Sequence, residues 1–242
     1  MRIRTFSARC AKEILRDPIN LGFGLGFPCA LLLLLSAIQR GVPVDLFRIE
    51  SLAPGVAVFG LSFMTLFSAT LVAKDRESSL LARLYTTPMR PYDFILGYMI
   101  PLIPISLAQS AVSYLVSIAL GLPVSVNILS AMLALVPTSL LYIGLGLLCG
   151  SIFTSKQVGG ICGALLTNLS AWLSGVWFDL ELVGGAFRSV AELLPFVHAV
   201  ELSRSALLGD TAGLWHAWPV LGYALAVTAG AVILFLRQMK KR

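Results

Sequence analysis

The sequence is poor in charge. Only 12% of its 242 residues are Asp, Glu, Lys or Arg, whereas 57% are hydrophobic. Mean hydropathy is +0.88. A soluble domain has about 25% charged residues. The composition therefore excludes an ordinary soluble domain and predicts an all-α polytopic membrane protein. The net charge of +6 is then read by its position along the chain, and no nucleic acid partner is expected.

Motifs for nucleotide, metal and redox chemistry are also missing. The sequence has no G-x-x-x-x-G-K-[ST] stretch that would cradle the phosphates of ATP. Its four cysteines form no C-x-x-C pair, so we expect small buried apolar residues rather than a redox or metal site. They are Cys10, Cys29, Cys149 and Cys162.

What the sequence does contain is long apolar runs. A spanning helix needs roughly 20 mostly apolar residues, and six runs qualify. They cover residues 19–38, 54–73, 94–120, 128–153, 158–178 and 214–236. Their strongest polar groups are Gln109 and Asn168, without an ionisable residue at mid-depth. Transporters driven by ion gradients usually keep such residues in the membrane, so energy for any transport is expected from outside the spans.

The charges are distributed unequally over the two faces that six spans define. The face with both termini carries 14 Lys and Arg and five acids, and the opposite face carries four Arg and seven acids. The balance of +9 against −3 predicts that both termini are cytoplasmic in a cell membrane.

Residues 1–17 have a helical pattern. The apolar residues Ile3, Phe6, Cys10 and Ile14 recur at spacings of three and four, with basic residues largely on other faces. This pattern predicts an amphipathic helix lying in the membrane interface. A disordered basic tail is the alternative.

Residues 74–93 form a charged segment between two uncharged spans. The pattern predicts one short helix that has Asp75 and Glu77 in its first turn, where the helix dipole favours acids, and that ends before Pro88. Its apolar face is formed by Leu80, Leu81, Leu84 and Tyr85, and its polar side includes Arg76 and Arg83. An ordinary solvated loop resting on the membrane is the alternative.

The order of these elements resembles the permease subunit of ABC-2 type ABC transporters. Residues 75–88 read DRESSLLARLYTTP, which is similar to the family pattern E-R-E-x-G-T-L-E-x-L-x-x-[ST]-P of a cytoplasmic coupling helix. Ser79, Leu80 and Ala82 depart from it. The resemblance implies that this segment contacts a separate ATPase. The residues expected to do so are Asp75, Arg76, Glu77, Leu80, Leu81, Arg83 and Leu84.

A second similarity lies between the fifth and sixth spans. Residues 194–209 read LPFVHAVELSRSALLG, which looks like the family's L-P-x-x-x-x-x-E-x-x-R-x-x-L-x-G segment of short re-entrant helices. Pro195 favours a break or the first turn of a helix, and Glu201 and Arg204 are spaced to pair. We expect a helical hairpin in the outer leaflet that gates release. His198 and Glu201 form an H-x-x-E pair, but metal binding needs three or four ligands, so no metal is expected.

The resemblance implies an exporter subunit without its own ATPase activity. ATP and Mg would bind to partner ATPases, and a second permease, identical or related, would complete the pathway. The apolar spans favour an amphipathic or lipid-like substrate such as a drug, antibiotic, lipid or glycolipid. Two other classes remain open: an immunity or receptor-like membrane partner, and an intramembrane enzyme.

Overall fold

The computed structural model describes residues 2–41, 47–78, 80–84, 91–178 and 180–240. In that part of the chain every regular element is a helix, which confirms the predicted all-α class. The elements are α1 (Arg2–Leu15), α2 (Pro18–Gly41), α3 (Ile49–Leu61), α4 (Phe63–Glu77), α5 (Leu80–Leu84), α6 (Pro91–Ala119), α7 (Asn127–Ile152), α8 (Ser155–Val158), a π-helix (Gly159–Leu166), α9 (Thr167–Leu173), α10 (Leu180–Val183), α11 (Gly185–Leu193), α12 (Pro195–Leu208), a 3-10 helix (Ala212–His216) and α13 (Ala217–Lys240).

Among the described residues, five helical segments are long and apolar enough to cross a membrane. They are Pro18–Gly41, Ile49–Glu77, Tyr92–Ala119, Asn127–Ile152 and Ala212–Arg237. Most of the expected span 158–178 lies in a continuous helical run of α8, the π-helix and α9, which covers residues 155–173. It begins earlier than expected because Thr154 and Gln157 form a capping box at the start of α8.

The second span is the centre of the bundle. In Ile49–Glu77, 89% of the apolar window is buried inside the protein, whereas the value is 22% for the first and last spans. This segment is one helical rod with a slight irregularity at Ser62, whose hydroxyl donates to the Phe59 carbonyl. The first and last spans therefore present most of their apolar surface to the outside of the chain.

Two glycines on α7 allow α4 to approach closely. A Cβ atom at Gly146 would lie 2.3 Å from the Thr65 carbonyl oxygen, and one at Gly150 would lie 2.5 Å from that of Ala69. The short spacing also allows the Thr65 hydroxyl to donate to the Tyr142 carbonyl at 3.0 Å. Small residues four apart have this role in many membrane helices.

Contacts between distant parts of the chain define two ends of the bundle. At one end α1, the last turn of α4 and the turn between α7 and α8 come together. At the other end α12 contacts the start of α3 and the segment after α9. We call these the basic end and the acidic end, after the charge balance in the sequence.

Candidate functional site at the basic end

The charged triplet Asp75, Arg76 and Glu77 lies at the basic end. The expectation that these residues open the short charged helix is wrong. They form the last turn of α4, which ends at Glu77, and the short helix α5 begins only at Leu80. The long apolar run of α4 propagates through the triplet because each added helical residue gains one backbone hydrogen bond. The three side chains then leave α4 in different directions and bind different elements.

Asp75 joins three helices. Its side chain is 1% exposed and accepts two hydrogen bonds from Arg9 of α1, at 2.5 and 2.6 Å. The Tyr98 hydroxyl of α6 donates a third, at 2.7 Å. A buried carboxylate is tolerated only where a cation and hydrogen-bond donors surround it. Asp75 therefore fixes α1 and α6 to the end of α4.

The charge of Asp75 also affects its neighbours on α1. Partial burial acts to lower the pKa of Arg9, but the hydrogen bond and charge of Asp75 outweigh it and hold that pKa above its ordinary value. Burial, reinforced by Asp75, raises the pKa of the Cys10 thiol to about 12. Cys10 is therefore a protonated, buried thiol, which agrees with the expectation of a small apolar role.

Arg76 holds the end of α7. Its guanidinium donates to the carbonyl oxygens of Ser151 and Phe153, the latter at 2.5 Å, and lies 3.4 Å from that of Ile152. The last carbonyls of a helix lack partners within that helix, and a nearby cation satisfies them. One side chain thus closes the C-terminus of α7 against α4.

Glu77 binds the beginning of the next helix. Its carboxylate accepts the backbone N–H of Ser155 at 2.8 Å, at the N-terminus of α8. A negative charge is favourable there because unpaired N–H groups point outward. Arg76 and Glu77 therefore hold both sides of the turn between α7 and α8.

The short helix α5 follows at this same end. Leu81 is buried in the main hydrophobic cluster, Leu80 is half-buried and Arg83 is exposed. The side chain of Leu84 and the whole of Tyr85 lie outside the described residues. The short helix therefore begins later than expected, at Leu80, and Leu81 anchors it as its apolar face requires.

The apolar face of α1 does not point into lipid as expected. Phe6, Cys10 and Ile14 are buried, and Phe6 packs edge-on against the rings of Phe94 and Tyr98 on α6. The helix is amphipathic as predicted, but its apolar face packs on protein. Sequence periodicity cannot distinguish the two because lipid and a protein core both favour apolar side chains.

At the acidic end, the expected outer segment is helical. Pro195 occupies the first turn of α12, directly after α11. Arg204 donates to Glu201 at 2.8 Å, as the spacing predicts, and also to the carbonyl oxygen of Gly175 at 3.1 Å. The pair thus ties α12 to the segment after α9.

Helix α12 is largely enclosed by protein. It packs against α3, α7 and α13. Ser203 is fully buried with its hydroxyl 3.2 Å from that of Tyr114, and Phe196 stacks on Tyr142. His198 pairs with His216 at 2.8 Å. Among the described residues no group of three or more His, Cys, Asp and Glu side chains could hold a metal ion.

Comparison with known proteins identifies the family. The model of the family described as ABC-2 type transporter matches residues 1–208. The chain belongs to the ABC-2 type transporter family. Membership makes it a multi-pass transmembrane subunit of an ABC transporter.

Individual relatives are distant. The chain is 22% identical over 197 residues to "Probable multidrug ABC transporter permease YbhR" of Escherichia coli, covering 80% of this chain and 53% of that protein. It is 25% identical over 228 residues to "Nodulation protein J" of Bradyrhizobium diazoefficiens, covering 93% and 85%. The chain thus spans about half the length of the E. coli relative.

The sequence did not reveal every residue of this ABC-2 site. Tyr98 donates a hydrogen bond to Asp75. It lies in an apolar run of the sequence, where the pattern indicates only a core aromatic residue. Ser155 contributes a backbone group, which carries no sequence signal. Arg9 was assigned only to the polar side of α1. The sequence signal that could have indicated these contacts is the presence of isolated charged residues at helix ends. Charged residues in membrane proteins rarely lack partners.

Proposed function

We propose that this chain is the permease subunit of an ATP-driven exporter of an amphipathic or lipid-like substrate. The observation that carries the proposal is the short helix α5. It follows on Ile49–Glu77, the most buried of the five candidate spans among the described residues, in a chain that matches the ABC-2 family over residues 1–208. The multidrug name of the E. coli relative supports a substrate of this kind.

The basic end is the proposed cytoplasmic end, where separate ATPases bind ATP and Mg and dock on α5. This assignment rests on the excess of Lys and Arg on that face. Arg83 is exposed there and is the proposed contact, while Leu81 keeps α5 in register with the bundle. Both termini are then cytoplasmic in the cell membrane.

The charged triplet then transmits force. A push on α5 reaches α4 within a few residues, and α4 is tied by Asp75 to α1 and α6, by Arg76 to α7 and by Glu77 to α8. Because hydrogen-bonded helix ends move together, closure of the ATPases would tilt several spans as one body. The triplet thus acts inside the permease, between its helices, in place of the direct contact with an ATPase that the family resemblance implied.

The exposed first and last spans favour a second permease, identical or related, against one of these surfaces. In such a pair α12 would line the outer end of the pathway and gate release. Its proposed hinge is the break at Leu194 and Pro195, and its anchor is Arg204.

The test is copurification and ATP hydrolysis. The chain is coexpressed with a candidate ATPase, purified and reconstituted in liposomes, and hydrolysis is measured with and without amphipathic drugs. We expect a stable complex whose hydrolysis the substrate stimulates. Failure of every coexpressed ATPase to copurify would instead favour a non-transport membrane protein.

Variants of Glu77 and Arg83 then test coupling. The double variant Glu77→Lys, Arg83→Glu is expected to insert and accumulate but to lose substrate-stimulated hydrolysis. Glu77 belongs to α4, whereas Arg83 belongs to α5. Arg83→Glu alone therefore tests α5 itself, and Arg188→Glu at the acidic end is its control. Normal stimulated hydrolysis in Arg83→Glu would contradict docking through α5.

A further inference from the structure

The sequence contains two histidines, and the fold brings them together at the acidic end. His198 lies on α12 and His216 ends the 3-10 helix that leads into α13. Both side chains are half-buried, and their Nδ1 atoms are 2.8 Å apart. The indole ring of Trp215 lies beside both, with its centroid 5.4 Å from that of His198 and 4.0 Å from that of His216. Two titratable rings therefore join elements that are separate in the sequence.

The backbone carbonyl of Glu192 determines which ring donates. Its oxygen lies 2.9 Å from Nε2 of His198 and can only accept, so that Nε2 carries a hydrogen. In a neutral His198 the Nδ1 atom then has a free lone pair, and Nδ1 of His216 donates the hydrogen between the rings. One additional proton can enter at Nε2 of His216 and leave this hydrogen bond intact. A second must enter at Nδ1 of His198, which places two N–H groups and two positive charges face to face.

The charged groups of the neighbouring elements have partners of their own. Glu192 of α11 binds Arg188 at 2.6 Å, and Glu201 of α12 binds Arg204 at 2.8 Å. Asp210, between α12 and the 3-10 helix, accepts a backbone N–H of that helix at 2.9 Å. Glu201 favours a positive charge on His216, which stabilises the first proton. Its single negative charge, shared with an arginine, does not balance two cationic rings.

The histidine pair closes a tight seam between α12 and the 3-10 helix. A Cβ atom at Gly213 would collide with the Ser205 side chain, so this helix packs directly on α12. Next to the seam, the Tyr223 hydroxyl of α13 donates to the last carbonyl of α11 at 2.8 Å. Trp215 and Trp218 are 54% and 77% exposed, as expected for aromatic residues at the interface between membrane and water. Protons from water can therefore reach the pair.

We propose that His198 and His216 form an acid-sensitive latch between α12 and the start of the last span. At neutral pH the hydrogen between the two rings holds the elements together, and the contact is lost when both rings are cationic. Histidine changes its charge between about pH 5 and 8, and a like charge opposes the second proton, so release is expected near the acidic limit of that range. If the proposed function holds, external acid would free α12 at the outer end of the pathway.

NMR spectroscopy tests the arrangement of the protons. Since the chain has two histidines, ¹⁵N-labelled histidine gives two imidazole spectra from the purified chain in detergent, and His198→Gln assigns them. At about pH 8, where both rings are neutral, we expect the Nε2–H tautomer for His198 and the Nδ1–H tautomer for His216. The Nε2–H tautomer in both residues would overturn the proposal, because the rings could not then share a hydrogen between their Nδ1 atoms.

Hydrogen exchange of residues 211–216 tests the release. His198→Gln keeps a donor for the Glu192 carbonyl and an acceptor for His216 but binds no proton in this range. At about pH 7.5 the unsubstituted chain and this variant should exchange at equal rates, whereas at about pH 5 the unsubstituted chain should exchange about three- to tenfold faster, as for the loss of one net hydrogen bond. His216→Gln should behave like His198→Gln. Comparison at the same pH removes the intrinsic pH dependence of exchange.

Glu192→Gln and Glu201→Gln are the matched controls, because they remove the neighbouring carboxylates that could titrate in place of the histidines. Both controls should keep the faster exchange at acidic pH. Loss of that increase in either control, or equal exchange of the unsubstituted chain and His198→Gln at about pH 5, would overturn the latch. These measurements use the permease chain alone, so they do not depend on an ATPase or on export.

Discussion

The two ends of the molecule each contain an arginine–carboxylate pair, and the pairs differ in kind. Arg9 and Asp75 are 66 residues apart, and the carboxylate is 1% exposed. Glu201 and Arg204 are three residues apart on one helix, with side chains 38% and 24% exposed. The first pair joins separate helices, whereas the second stabilises a helix that is already formed.

The comparison shows that position in the fold decides what a charge contributes. An exposed local pair contributes about 0–1 kcal/mol, because water competes for both groups. A buried carboxylate cannot form hydrogen bonds with water instead, so removal of its partners leaves its charge unsatisfied. We therefore expect the basic end to depend on its carboxylate and the acidic end to depend on its arginine.

The largest effect is expected at Asp75. Asp75→Ala leaves the buried Tyr98 hydroxyl without its acceptor and Arg9 without its main partner. The free energy of unfolding should fall by about 3–5 kcal/mol, measured by thermal unfolding in detergent. Glu192→Ala, from the exposed pair with Arg188, is the control and should change it by less than about 1 kcal/mol. Equal effects of the two variants would remove the distinction between the pairs.

The second largest effect is expected at Arg76. Arg76→Gln withdraws the guanidinium from the carbonyls that end α7. Each hydrogen bond from a charged group contributes about 1.5–3 kcal/mol, and partial exposure reduces the total to about 2–3 kcal/mol. Hydrogen exchange should rise in residues 151–156, a local signature. Lys156→Gln is the control, because Lys156 is exposed in the same turn. Unchanged hydrogen exchange of residues 151–156 in Arg76→Gln would show that the turn does not depend on the Arg76 contacts.

The smallest effects are expected at the acidic end, where the arginine variant and the carboxylate variant should lose different amounts of stability. Arg204 also donates to the Gly175 carbonyl, so Arg204→Ala should cost about 1–3 kcal/mol. Glu201→Ala removes only the local pair and should cost about 0–1 kcal/mol. Thermal unfolding of both variants measures the difference. Identical losses would show that the pair, rather than the carbonyl contact, holds α12.

The same contrast explains what could be predicted from the sequence. The Glu201–Arg204 pair and the start of α12 at Pro195 depend on neighbours three or fewer residues away, so spacing predicts them. The partners of Asp75 lie on α1 and α6, and only the folded bundle brings them together. Sequence alone therefore indicated that the triplet was charged and at a helix end, but not that its side chains bind other helices of the same chain.

The helices show a similar limit. The apolar runs predicted the long helices because a membrane permits few alternatives. They did not predict that α4 continues through Glu77, or that the run after Thr154 contains a π-helix. The two glycine pairs also behave differently, and that difference depends on packing. A Cβ atom at Gly159 would meet none of the described atoms within 4 Å, although its spacing from Gly163 matches that of Gly146 and Gly150.

The most direct test of the account is photocrosslinking from the two ends. A benzoylphenylalanine residue replaces Arg83 on α5 in one variant and Ser189 on α11 in the other, and each is coexpressed with the partner ATPase and irradiated in intact cells. We expect a permease–ATPase adduct from position 83 and none from position 189. An adduct from position 189 without one from position 83 would place the ATPase at the acidic end and contradict it.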